Sequence, residues 1–197
     1  MAGKRSQPHE SRRDEIIRES AALFERVGYH RASMQMVADA VKLGKPTLYH
    51  YFRSKSEILY SIHENLIGDL RDRQQKRIEE NLPPNEQLLG VCSDILHQID
   101  EHPGYVRAFI EHHDELDEVH KKQMRKQRQE YLDMVCGILV AGAKAGLFAK
   151  YEPRLTALGF LGMCNWAYTW FPQEQNRSVE KTAQALCKVF LDGLNKR

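Results

Sequence analysis

The chain holds 197 residues, 42% of them hydrophobic and 28% charged, with a formal net charge of +2. That is globular material, enough for one large domain or a small domain joined to a larger one, and not a fibrous or polybasic chain. No stretch reaches the roughly 18 unbroken apolar residues of a membrane span, and the polar N-terminus has no apolar signal core.

Residues 1–10 are expected to form a disordered arm, in which Lys4 and Arg5 either trail along a phosphate backbone or hang free. A first helix is predicted over about 11–27. Ile16, Ser20, Leu23 and Val27 form one row and Ile17, Ala21 and Phe24 the next, a wide buried stripe. Gly28 caps it. Residues 33–55 then hold two short helical patterns around a tight turn. Met36, Val37 and Ala40 share one face behind Ser33, which serves as N-cap. The turn is Lys42-Leu43-Gly44. Pro46 opens the second helix, where a missing N–H costs nothing. Leu48 and Phe52, four apart, turn inward and leave Lys45, Thr47, Tyr49, His50 and Tyr51 outward. Cations, hydroxyls and aromatic edges on a short exposed helix suit phosphates and base edges. The pair reads as a helix-turn-helix.

Ser54 and Glu57 form a capping box for a connecting helix over 54–80, with Ile58, Leu59, Ile62, Leu66, Ile67 and Leu70 inward. Pro83-Pro84 ends it. Helical periods continue over about 85–101, a short segment with Val106, Phe109 and Ile110, then 115–144, 153–171 and 178–195. No strand pattern or repeat appears. The fold class is all-α with about nine helices, divided into a reading domain (11–56) and a larger helical body (57–197). Residues 1–55 carry 11 Lys/Arg against 6 Asp/Glu, a net of +5, whereas the remainder nets −3. A basic end on an acidic body suits nucleic-acid contact, although an uneven solvated surface has the same signature.

Three strings, Val37-Ala38-Asp39-Ala40, Thr47-Leu48-Tyr49-His50-Tyr51-Phe52 and Ser54-Lys55-Ser56-Glu57, together resemble the DNA-binding domain of tetracycline-repressor-type (TetR) regulators. The resemblance runs from about Arg13 to Leu59. Three positions depart from the pattern: Lys42 at the turn glycine, Gly44 where serine is usual, and Pro46 where a glycine is usual. A left-handed Lys42 carries strain of about 1 kcal/mol or more, and Pro46 removes a backbone donor. Both bear on the sequence read, not on the motif. The resemblance implies a homodimeric, ligand-responsive regulator, a repressor that leaves a near-palindromic double-stranded DNA operator when a small-molecule effector binds. Its DNA surface would comprise Arg12, Arg13, Ser33, Gln35, Lys45, Pro46, Thr47, Tyr49, His50, Tyr51 and Lys55. Ser33, Tyr49, His50 and Lys55 would meet phosphates, with Lys45, Pro46 and Thr47 nearest base edges.

The segment 156–171 is apolar nearly all round, and one face of each of the last two helices is left over in a monomer, an interface signal. In the family these helices pair in a four-helix dimer interface, which the resemblance assigns here to Leu155, Leu158, Gly162, Asn165, Ala183, Leu186 and Phe190. The run from Gly162 to Trp170 is also similar to members that control lipid or aromatic-acid breakdown, some of them responsive to acyl-CoA thioesters. That implies a hydrophobic or acyl-CoA effector and no bound cofactor. Phe109, His112, His113, Tyr131, Met134, Phe160, Met163, Trp166 and Trp170 are the candidate lining, and core packing is the competing reading for such residues.

His112, His113 and His120 stand among acidic residues, but adjacent histidines on a helix face different ways, so no metal site is expected. Cys92, Cys136, Cys164 and Cys187 have no metal or CxxC spacing and read as free core thiols of a cytoplasmic protein. No nucleophile–base pair, phosphate loop or paired carboxylates point to an enzyme. The rival reading is a helical protein–protein adaptor, against which the outward Lys45, Tyr49, His50 and Lys55 speak.

Overall fold

The computed structural model describes residues 12–194, and the arm expected over 1–10 lies outside them. Among the described residues nine α-helices follow one another: α1 (Arg12–Val27), α2 (Met34–Ala40), α3 (Lys45–Tyr51), α4 (Lys55–Glu79), α5 (Pro84–Glu101), α6 (Pro103–Glu111), α7 (Glu118–Lys144), α8 (Pro153–Trp166) and α9 (Val179–Leu194). Among the described residues there is no strand, and no helix is long and apolar enough to cross a membrane. The all-α expectation holds.

Two hydrophobic cores account for this arrangement. In the first, Ile16, Ile17 and Phe24 of α1 pack on Val37 and Ala38 of α2, Leu48 of α3 and Phe52 just beyond it. The second gathers α5, α7, α8 and α9 around Leu88, Leu96, Val135 and Phe160. The cores are not separated by a linker. Ile58, Leu59 and Ile62 of α4 belong to the first, while Leu66, Ile67 and Leu70, one to two turns on, belong to the second. Helix α6 divides in the same way, with Ala108 in the head core and Val106 in the body core. The head therefore extends past residue 56 and draws on α4, α6 and Met124 of α7.

The ends of the elements follow local chemistry. Gly28, at φ 86°, closes α1 and donates to the Phe24 carbonyl at 2.9 Å. Asn81, at φ 54°, closes α4, with Leu82 donating to the Arg77 carbonyl at 3.1 Å. Between α4 and α5, Arg77 Nη2 meets the buried Asp94 carboxylate at 2.7 Å. A Cβ on Gly90 would stand 2.3 Å from the Arg77 Nε, so glycine there makes room for the pair. The last apolar segment departs from the sequence reading, since α8 stops at Trp166 and two short 3-10 turns carry 167–173. Pro172 has no N–H to give the Tyr168 carbonyl, which interrupts an α-helical ladder there. The Thr169 hydroxyl takes the Trp166 carbonyl at 2.8 Å and Gln173 Nε2 the Thr169 carbonyl at 2.9 Å, which draws these acceptors out of the helical ladder.

Helix α6 lies on α1 at Gly104, where a Cβ would approach the Ala21 carbonyl oxygen to 2.9 Å. A larger residue meets that backbone carbonyl and the Glu25 carboxylate, 3.0 Å away. Gly104→Val is expected to destabilise the fold by about 1–3 kcal/mol, read as a lower urea midpoint. An unchanged midpoint would show that α1 and α6 separate at no cost.

Candidate functional site

Helix α3 is presented bare. Leu48 and Phe52 are fully buried, whereas Lys45, Pro46, Thr47, Tyr49, His50 and Tyr51 are exposed. Among the described residues, the side chains of Lys45, Thr47, Tyr49, His50 and Tyr51 make no hydrogen bond or ion pair within the chain. The turn ahead of α3 is closed by two backbone hydrogen bonds. Lys42, at φ 54°, donates to the Asp39 carbonyl at 3.2 Å while Leu43 donates to the Ala38 carbonyl at 2.8 Å. This is the Schellman arrangement, with a lysine at the position glycine prefers. Ser33 Oγ accepts from the Met36 N–H at 3.2 Å, and Gln35 Nε2 reaches Asp39 at 2.8 Å on the exposed side of α2.

The flanking cations are less available than the sequence suggests. Arg12 pairs with Glu15 and donates to the Val41 carbonyl at 2.7 Å. Arg13 donates to Ser61 Oγ at 2.9 Å and lies 4.7 Å over the Phe52 ring. Lys55 Nζ donates to the carbonyls of Tyr29 at 2.5 Å and Ala32 at 2.9 Å, over the Tyr29 ring at 4.2 Å. Lys55 thus closes the α1–α2 loop instead of reaching outward as a free phosphate ligand, and partial burial lowers its pKa.

A cavity of about 680 Å³ opens in the body, within the range of small-molecule sites. Its apolar wall includes Leu66, Ile67 and Leu70 of α4, Ile95 of α5, Phe109 and Ile110 of α6 and Leu132 of α7. Leu158, Leu161, Gly162 and Trp166 of α8 extend it, and Gln98 of α5, Arg125, Arg128 and Gln129 of α7 and Asn165 of α8 contribute polar groups. The Tyr131 hydroxyl, also at this wall, is buried without a hydrogen-bond partner. Phe109 is held between helices. The buried His63 ring of α4 stacks on it at 4.6 Å, 9° from parallel, and the Arg128 guanidinium lies 4.2 Å over its ring. Neither nitrogen of His63 has a hydrogen-bond partner. Desolvation, with the nearby Arg128 charge second, pushes its pKa down to about 3.

Of the nine lining residues expected from sequence, Phe109, Tyr131 and Trp166 reach the cavity. Phe160 is fully buried against Phe190, Met134 and Met163 pack on the body core, and Trp170 lies edge-on to Phe171. His112 stacks on Tyr29 at 5.3 Å and His113 Nδ1 meets the Ile110 carbonyl at 3.2 Å, both outside the cavity. Leu158, Gly162 and Asn165, expected at a dimer face, line it. Ala183 is buried in the body core and does not reach the surface. The missed residues include Leu66, Ile67 and Leu70, which sequence assigned to packing alone. An apolar residue facing a cavity carries the same pattern as one facing a core.

A bare recognition helix on a three-helix head, sharing helices with a body that holds an effector-sized cavity, defines a helix-turn-helix DNA-binding regulator. Residues 81–194 match the tetracyclin repressor-like C-terminal domain and residues 16–62 match bacterial regulatory proteins of the tetR family. The chain belongs to the tetR family. It is 24% identical over 188 residues to the HTH-type transcriptional repressor KstR2 of Rhodococcus jostii (strain RHA1), covering 93% of this chain and 91% of that protein. The TetR family regulator PfmR from Thermus thermophilus superposes with a TM-score of 0.85 at 28% identity, over 93% of this chain and 100% of that one. AibR in complex with isovaleryl coenzyme A and operator DNA superposes at 0.80 with 23% identity, over 91% and 97%, a likeness of fold.

His63 makes stability depend on pH with a defined sign. Unfolded, it takes up a proton near its ordinary value of about 6.5. Folded, it stays neutral down to about 3. The stabilisation is complete above the unfolded value and is lost as pH falls from there toward the folded one. Between pH 6 and pH 5 its share of the loss is about 1 kcal/mol. Urea unfolding of wild type and His63→Leu at the two values should differ by that much in slope, and identical slopes would contradict a neutral His63.

Proposed function

We propose that this regulator is a repressor, held as a homodimer on a near-palindromic operator and released when an amphipathic effector enters the cavity. Fatty or aromatic acyl-CoA thioesters are the favoured class, with free hydrophobic acids next. One observation carries the reading: the helices that wall the cavity, α4 and α6, also build the core of the DNA-reading head. The repressor name of KstR2 and the isovaleryl coenzyme A bound by AibR support the direction and the class of signal.

Exposed apolar surface supports dimerisation through α8 and α9. Leu155 is 71% exposed, Leu158 48%, Trp166 64% and, on α9, Val189 72%. A Cβ at Gly159, Gly162 or Gly193 would meet nothing within 4 Å, so a second helix can approach closely there. Two heads then face half-sites one helical turn, about 34–36 Å, or a small multiple apart. An effector that wedges α4 from α6 tilts both heads and spoils that spacing. By linkage, operator weakens the effector by the factor that effector weakens operator.

Two experiments test this. Lys45→Ala should weaken operator binding by roughly 1–3 kcal/mol and alter sequence preference, read by fluorescence anisotropy on genomic fragments enriched with the wild-type protein. Wild-type affinity in that variant would remove α3 as the reading helix, and dodecanoyl-CoA and free acids that leave the wild-type complex intact would remove the effector class. Gly159→Trp, on the exposed side of α8 and outside the cavity lining, should yield monomer by light scattering at micromolar concentration, and a surviving dimer would move the interface elsewhere.

A further inference from the structure

Two charges in the cavity wall have no counterpart among the described residues. The Arg128 guanidinium stacks on Phe109 and donates from Nη2 to the Phe109 carbonyl at 2.6 Å, yet its Nε is buried and makes no hydrogen bond. Among the described residues, no carboxylate lies within ion-pairing distance of Arg128 or of Arg125, one turn earlier on the same wall. The body's other inward arginine differs: Arg77 meets Asp94 at 2.7 Å. A guanidinium does not give up its proton in a protein, and a charge taken out of water is ordinarily compensated by a counter-charge. Burial lowers the Arg128 pKa with no anion offsetting it. Three residues on, the buried Tyr131 hydroxyl also lacks a partner at this wall.

We propose that Arg128, with Arg125 beside it, binds an anionic group of the effector, so that the natural signal is an amphipathic anion. The site lies where α6 meets α7, and the apolar part of the ligand rests on Leu66, Leu70, Ile95, Leu132 and Leu158. This rests on the effector reading above and adds to it the residues that read the ligand's charge. Arg128 is also the outer layer of the stack that continues through Phe109 to His63 on α4. An anion that draws the guanidinium off the ring loosens that stack, giving a polar ligand group a direct hold on the connecting helix. The oxyanion has two chemical sources, a carboxylate attached to the hydrocarbon or the phosphates of a coenzyme A ester.

Isothermal titration of the full chain with dodecanoate, dodecanoyl-CoA, free coenzyme A and dodecanol separates these possibilities. Wild type should bind at least one of the two acyl anions about tenfold or more tighter than dodecanol, equivalent to about 1.4 kcal/mol. Preference for dodecanoate identifies the carboxylate, and preference for dodecanoyl-CoA identifies the phosphates. Arg128→Gln should abolish the preference, with Arg125→Gln reducing it by less. Equal wild-type affinity for dodecanoate, dodecanoyl-CoA and dodecanol, a reading that needs no variant to fold, overturns the proposal and leaves the apolar effector cavity standing. A preference that survives in Arg128→Gln also overturns it. A protein that binds none of the four probes loses both the proposal and the effector reading.

Discussion

A helix of 25 residues is a stiff rod, and α4 has one end embedded in each of two close-packed cores. Ile62 and Leu66 are a single turn apart, yet the first packs with the reading head and the second walls the cavity. No flexible linker absorbs a displacement between them. Close-packed interiors resist graded deformation and change between discrete arrangements, so filling the space beneath α4 must be answered in the head. Helix α6 gives the same constraint a second time, since Phe109 and Ile110 face the cavity while Ala108 sits in the head core and Gly104 lies against α1. Two rods crossing from body to head fix its tilt as well as its position.

The head answers as one piece because its loops are tied down. Lys55 gathers the carbonyls of the α1–α2 loop, and hydrogen bonds to a charged group contribute about 1.5–3 kcal/mol each when well made. His30 of that loop meets Glu115 at 3.2 Å, and Tyr29 stacks on His112 at the end of α6. The loop is thus held by the start of α4 and by the body together. Arg12, Arg13 and Lys55 work on internal order, whereas among the described residues the polar side chains of α3 face outward without internal partners. The departures from the family pattern do not disturb it. Lys42 takes the left-handed angle within a fully bonded turn, and Pro46 stands where no internal donor is lost.

Much of this was legible in the chain because it depends on local chemistry. The Ser33 and Ser54 caps, the Pro46 start, the inward Leu48 and Phe52 and the α4 stripe each follow from spacing and residue type. The cavity was not. Periodicity tells which side of a helix is buried but not whether it meets another side chain or a space. Phe160 and Met163 therefore looked like lining when the row Leu158, Leu161 and Asn165 faces the cavity. The roles of Lys55 and His112 were hidden because their partners are 23 or more residues away in sequence. The part played by α6 was missed for the same reason, since nothing in its nine residues indicates contact with α1. The end of α8 was read too far because the apolar run continues through the 3-10 turns that follow Trp166.

The central claim is that occupancy of the body cavity changes the separation of two reading heads. Spin labels on Arg31→Cys, exposed on the α1–α2 loop, with the half-buried Cys136 replaced by serine, would report that separation in the dimer by pulsed electron–electron double resonance. Adding a ligand whose binding has been established by titration should shift the distance distribution by a few ångströms, and adding operator should shift it back. Superimposable distributions with and without bound ligand would contradict the account.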